Sequence, residues 1–309
     1  MSFLYFLESI RNPVFDAIFS AITILGEETV FMAIGMIAFW CIDKYQGYYL
    51  LCSGFLGTSI NQFLKMTFKI PRPWVKDPNF TIVESSREAA TGYSFPSGHT
   101  QTSVGVFGGL ARWNKSNVLK ILAMSACVLV PLSRMYLGVH TPIDVGVSIL
   151  IALILVFALY PIFKRGASSP KIMYGILSAM TLVTLVYLLY AILFPFSADT
   201  DPHNLLSAQK NGYTLFGCSL GLLTVYAIDN RFIKFPTKAV WWAQILKVLG
   251  GLALVLLVKE VLRSPIDALF GGHLVARAAR YFLMVIVGGA IWPLTFKWFS
   301  NIGKSKKEK

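Results

Sequence analysis

Apolar residues occupy this chain in long blocks, and the polar positions between the blocks are few and clustered. Nine runs stand out, at 29–42, 46–64, 100–111, 118–137, 143–163, 172–194, 213–228, 240–258 and 281–299. A helix advances about 1.5 Å per residue and needs roughly 20 predominantly apolar residues to cross a bilayer. The runs therefore predict an all-α polytopic membrane protein of about nine transmembrane helices, several of them short for a full crossing. Ahead of them, 3–25 is broken by Asn12-Pro13 and is amphipathic, which predicts a helix lying along the interface rather than through it. No internal repeat and no low-complexity linker interrupts the pattern.

Composition agrees. Of 309 residues 55% are hydrophobic and 14% charged, against roughly 25% charged in a soluble domain, and mean hydropathy is +0.62. The net charge of +13 is spread over short loops and the tail Lys304-Ser305-Lys306-Lys307-Glu308-Lys309. That spread points to a membrane surface and away from nucleic acid. Cys41, Cys52, Cys127 and Cys218 all fall in apolar runs without metal-ligand spacing, as small core residues do. Glu8 and the lack of a basic start before the first apolar stretch argue against a cleavable signal peptide.

Nine alternating spans sort the loops into two sets. One holds Lys44, Arg112, Lys115, Lys164, Arg165, Lys171, Arg231, Lys234, Lys238 and the C-terminal lysines; short basic loops mark the cytoplasmic side, and with it the C-terminus. The other holds 65–98, 134–140, 197–212 and 259–280, on the extracytoplasmic face of a cell membrane. Glu27 and Glu28 fall on this second side and read as interfacial, structural carboxylates.

Three polar patches on that second side supply phosphate chemistry. Lys65 closes a run, and Arg72 follows seven residues later between Pro71 and Pro73. The lysine offers a point charge and the guanidinium a bidentate fork for phosphate oxygens. Pro96-Ser97-Gly98-His99 precedes the run at 100–111 and places Ser97 or Gly98 at a helix start, where backbone N–H groups face an anion. In the third patch Ser133-Arg134 is followed by His140, with Asp144 four residues later. A helix beginning near His140 puts that carboxylate on the imidazole's face, where it fixes the tautomer and stabilises the imidazolium. Lys69, by contrast, reads as a lysine at a membrane edge.

The order and spacing of these patches resemble the type 2 phosphatidic acid phosphatase superfamily: Lys65, six residues, Arg72-Pro73; Pro96-Ser97-Gly98-His99; Ser133-Arg134, five residues, His140, three residues, Asp144. The resemblance spans roughly 46–163 and implies a helical histidine-phosphatase core. It implies His140 as nucleophile through a phosphohistidine, His99 as general acid, and Asp144 as the partner of His140. Lys65, Arg72, Ser97, Gly98 and Arg134 would cradle the phosphate, with no metal and no other cofactor. Vanadate-dependent haloperoxidases share the motif set, but the dense apolar runs speak against that soluble branch. The layout, with three runs beyond Lys171, resembles glucose-6-phosphatase and the sphingoid-phosphate phosphatases, as do Gly26-Glu27-Glu28 and Phe39-Trp40-Cys41-Ile42-Asp43.

The expectation is a metal-independent phosphatase for a lipid phosphate or diphosphate monoester taken from the bilayer, such as a polyprenyl diphosphate, a phosphatidate-type lipid or a sphingoid phosphate. Residues 1–165 would hold the interfacial helix and catalytic core, and 166–309 additional membrane helices. No obligate protein partner is evident. Other readings of the same residues are a phosphotransferase with an acceptor other than water, a sugar-phosphate phosphatase, and a lipid transporter or scaffold without turnover.

Overall fold

The computed structural model describes residues 1–88 and 90–302; the basic tail and its cytoplasmic placement lie outside the described residues. Among the described residues the chain is 80% helical, with no strand. The helices in order are α1 Ser2–Ser9, α2 Pro13–Thr23, α3 Glu28–Ile37, α4 Lys44–Phe68 and the short α5 Pro73–Lys76. There follow α6 Gly98–Trp113, α7 Asn117–Tyr136, α8 Pro142–Gly166, α9 Pro170–Leu193 and α10 Pro202–Ile228. The chain continues with α11 Trp241–Val261, α12 Arg263–Leu269, α13 Val275–Ile286 and α14 Phe296–Asn301.

Local sequence sets many of the starts. Asn12 caps α2, its side chain accepting from the Val14 and Phe15 amides, with Pro13 at the first helical position. Ser97 caps α6 and Ser116 caps α7 in the same way. Thr141 and Asp144 form a reciprocal capping box at the head of α8: the Thr141 amide donates to Asp144 Oδ2 at 2.8 Å and the Asp144 amide to Thr141 Oγ1 at 3.3 Å.

Five helices are long and apolar enough to cross a membrane: α7, α8, α9, α11 and the stretch Val275–Asn301. The pair Pro13–Gly26 and Glu28–Ile42, bent by 51°, passes the same test as one broken span. The protein is thus a multi-pass membrane protein. Of the other predicted spans, α4 (25 residues) and α10 (27 residues) have the length but are more polar, and α6 has 16 residues. For α4 the reason includes a buried polar stripe of Ser53, Asn61 and Lys65, with Gly57 completing the every-fourth-residue spacing. The amphipathic start is two helices rather than one, broken where Asn12 and Pro13 begin a new cap.

The chain forms two compact units. The first comprises Met1–Met32, Ser53–Pro161 and Leu189–Gln209. In it α2 packs on α7, with Phe19 stacked on Tyr136 at 4.2 Å and the Tyr136 hydroxyl donating to Asp16. The N-terminal helices also hold the loop that follows α5. Tyr5 donates to Asp77 at 2.8 Å, the Thr81 amide to Glu8 at 2.9 Å, and Arg11 to the carbonyls of Thr81 and Tyr136.

The second unit comprises Ala33–Cys52, Ile162–Leu188 and Lys210–Lys309. Lys247, fully buried there, donates to the carbonyls of Trp40 and Thr237 and lies 4.2 Å from the Phe296 ring centre. Lys44 and Asp229 form a 2.6 Å ion pair. His273 accepts from the Val275 amide at the head of α13, and Arg277 donates to Thr214 Oγ1. Cys52, Cys127 and Cys218 are buried and Cys41 half-buried, none of them in a disulfide among the described residues.

Candidate active site

The three motifs meet at one end of the first unit, where α4 and α7 finish and α6 and α8 begin. Lys65, Arg72, Ser97, Arg134, His140 and Asp144 are each no more than 6% exposed, although all are polar. Burying so many cations without partners would be prohibitive, so the positions of their hydrogen bonds are informative.

His140 lies in the turn after α7. Gly138, at φ +83, lets the chain reverse there, and a Cβ at that position would sit 2.7 Å from Arg11 Nη2. One face of the imidazole meets Arg72, whose Nη1 is 2.9 Å from Nε2. A guanidinium can only donate. The same Nη1 lies 3.5 Å from Nδ1, and Nδ1 is 3.5 Å from Asp144 Oδ2. Burial, followed by the charges of Arg72, Arg134 and Lys65, pushes the His140 pKa well below its ordinary value, so the ring is neutral at physiological pH.

Asp144 is more than the partner of His140. Its Oδ2 accepts from Ser94 Oγ at 2.6 Å and from the Thr141 amide at 2.8 Å. The capping box and Ser94 set its position, and the imidazole then lies against a fixed carboxylate. Ser94 stands two residues ahead of the Pro-Ser-Gly-His motif, and no spacing rule in the sequence marks it.

The cations differ in how far the protein satisfies them. Arg72 donates through Nε to Gly92 O (3.0 Å), through Nη2 to Thr91 O (2.6 Å), and through Nη1 to Val139 O (3.0 Å) as well as to His140. Burial lowers its pKa to about 10, with Asp144 opposing, so it remains charged at neutral pH. Lys65 donates to Tyr93 O. Arg134, fully buried, has one protein partner, Thr23 Oγ1 at 2.8 Å, and its Nε and Nη2 have none. His99 Nε2 likewise meets no protein acceptor or donor. Arg134 Nε and Nη2 can donate to an oxyanion, as can the backbone N–H groups at the Ser97-Gly98 helix start.

Sequence reasoning missed the α2–α3 bend in this wall. Besides Thr23 holding Arg134, Gly26 packs on the second motif: a Cβ there would lie 2.9 Å from His99 Cβ and 2.9 Å from Val130 Cγ1. Glu27 accepts from Thr29 at 3.2 Å and its charge acts on Arg134. Lys69 stays out of the site. It adopts φ 48 and donates to Ser197 Oγ and Thr200 Oγ1. Among the described residues no three His, Cys, Asp or Glu side chains converge as a metal ion would need.

Two family comparisons cover most of the chain. Residues 45–167 match the PAP2 superfamily, and residues 213–305 match the transmembrane extension of PAP2 superfamily phosphatases. A probable sphingosine-1-phosphate phosphatase of Dictyostelium discoideum is 30% identical over 165 residues, 49% of this chain and 39% of that protein. Human sphingosine-1-phosphate phosphatase 2 is 28% identical over 49% of this chain and 39% of its own length. The undecaprenyl-diphosphatase BcrC of Bacillus subtilis is 27% identical over 48% of this chain and 76% of its own. The chain thus spans about two fifths of the length of the sphingosine-1-phosphate phosphatases it matches. No solved structure matches. Both halves of the comparison, together with the converged motifs, place the chain in the PAP2 superfamily.

Proposed function

We propose that the protein is a metal-independent phosphatase that hydrolyses a lipid phosphate or diphosphate monoester through a phosphohistidine. The observation that supports this is the His140 geometry: Nε2 lies 2.9 Å from Arg72, Nδ1 lies 3.5 Å from Asp144 Oδ2, and burial holds the ring's pKa well below its ordinary value. Phosphoryl transfer needs little covalent help beyond an aligned nucleophile and fixed positive charge.

In the first step His140 Nε2 attacks phosphorus in line, the bond to the leaving oxygen breaks, and that oxygen takes a proton from His99. As the Nε2 lone pair is used, Arg72 Nη1 transfers its hydrogen bond to a phosphoryl oxygen. Arg134, Lys65, Ser97 and the Gly98 amide hold the other oxygens, and Asp144 stabilises the imidazolium that forms. In the second step water attacks, gives its proton to His99, and the N–P bond breaks to release phosphate. Residues 1–165 hold every group in this scheme.

The relatives' printed activities span a sphingoid phosphate and a polyprenyl diphosphate, and apolar helices around the site suit a substrate delivered laterally. The excess of Lys and Arg in the opposite loops supports nine spans with the site on the extracytoplasmic face. The test is phosphate release by the full chain in detergent with EDTA, from sphingosine phosphate, undecaprenyl diphosphate, phosphatidate and glucose 6-phosphate. Wild type is expected to turn over a lipid substrate and His140→Ala to abolish it. Turnover that survives His140→Ala, or that requires added metal, overturns the reading.

A further inference from the structure

The polar stripe of α4 ends at the site, and its residue nearest Lys65 has no part in the three motifs. Asn61 is 1% exposed, and neither its Nδ2 nor its Oδ1 has a protein partner. It stands one helical turn before Lys65 on the same face of α4. Its Oδ1 lies 3.9 Å from where a Cβ of Gly98 would be, which sets the carboxamide against the Ser97-Gly98 helix start. Two neighbours on α6, Thr100 Oγ1 and both polar atoms of Gln101, also lack protein partners. A buried carboxamide with donor and acceptor both unmet is costly. A helix of apolar purpose would carry leucine there. A group that binds a polar ligand has reason to carry asparagine.

We propose that Asn61 is a further phosphate-binding residue, its Nδ2 donating to a non-bridging oxygen of the phosphoryl group held by Arg134 and the Gly98 amide. This rests on the phosphatase reading for its substrate, but the binding itself can be measured without turnover. A neutral donor adds hydrogen bonding without another positive charge beside Lys65, Arg72 and Arg134, which already repel one another. Its Oδ1, which can only accept, suits the P–OH of a monoprotonated phosphate.

The experiment measures the affinity of the purified full chain for inorganic phosphate and orthovanadate by calorimetry, with substrate turnover in parallel. A hydrogen bond to a charged acceptor is lost in Asn61→Leu, so anion affinity is expected to fall about 10- to 100-fold, with KM rising by a similar factor. Thermal stability should hold or rise, because the unmet polar atoms are gone. Asn61→Asp, which sets a carboxylate against the anion, is expected to lose more. Should Asn61→Leu not fold, Asn61→Ser tests the same bond at smaller volume. Unchanged anion affinity in a folded variant overturns the proposal. Anion binding that depends on Asn61 without turnover of any substrate upholds it and removes the phosphatase reading instead.

Discussion

Removing the Thr23 hydroxyl tests how the protein aims a buried guanidinium. Arg134 has a single protein hydrogen bond, from Nη1 to Thr23 Oγ1 at 2.8 Å, while Nε and Nη2 are left for a ligand. In Thr23→Val the side chain keeps its shape, and the guanidinium loses the contact that fixes its plane. A hydrogen bond to a charged group contributes about 1.5–3 kcal/mol, so the bound anion should lose about that much, or 10- to 100-fold in affinity. The loss should fall on KM and on vanadate inhibition, with a smaller effect on kcat, because Arg134 binds ground state and transition state alike. The assay is steady-state phosphate release with vanadate titration, alongside a thermal melt. A general packing defect would lower stability and kcat together. A variant with wild-type KM and vanadate affinity would refute the idea that the N-terminal bend positions this arginine.

Three more outcomes follow from the geometry. Asp144→Asn should cut kcat by about two to three orders of magnitude, since a charge 3.5 Å from Nδ1 contributes up to ~5 kcal/mol at an effective dielectric of ~20. A phosphoenzyme trapped by acid quench should build more slowly in that variant, and an unchanged burst would count against the pairing. Because burial and the neighbouring cations lower the His140 pKa, the nucleophile stays unprotonated as pH falls through the ordinary histidine range. An acid limb of kcat/KM assigned to His140 should therefore lie below about pH 6.5, and one at or above that value contradicts the shift. Gly26→Ala should disturb catalysis from outside the motifs. Its new methyl meets His99 Cβ and Val130 Cγ1 at 2.9 Å, overpacking that costs about 1–3 kcal/mol, visible as a lower melting temperature and lower kcat.

The sequence by itself determined the class of the molecule and singled out the polar groups that make up the candidate site. Long apolar runs admit little but membrane helices, because backbone hydrogen bonds in a bilayer must close within each segment. The motifs were legible because each is a short run of chemically distinctive groups set in an otherwise apolar chain: Lys65 with Arg72, Ser97-Gly98-His99, and Arg134 with His140 and Asp144. The run at 46–64 folds as the 25-residue α4, whose buried face also carries Ser53, Asn61 and Lys65.

What the tertiary structure decided are the supports that reach the site from distant parts of the chain. Thr23 is 111 residues from Arg134, and Ser94 is 50 residues from Asp144. Each is a hydroxyl of a type found throughout the sequence, and only packing selects the one that meets a guanidinium or a carboxylate. The contact between Arg72 and His140 arises in the same way, across 68 residues. Local spacing specifies which groups can act together, because neighbouring positions on a helix or turn have fixed geometry. Their protonation and aim depend on burial and on charges brought in from elsewhere, and those exist only once the helices have packed.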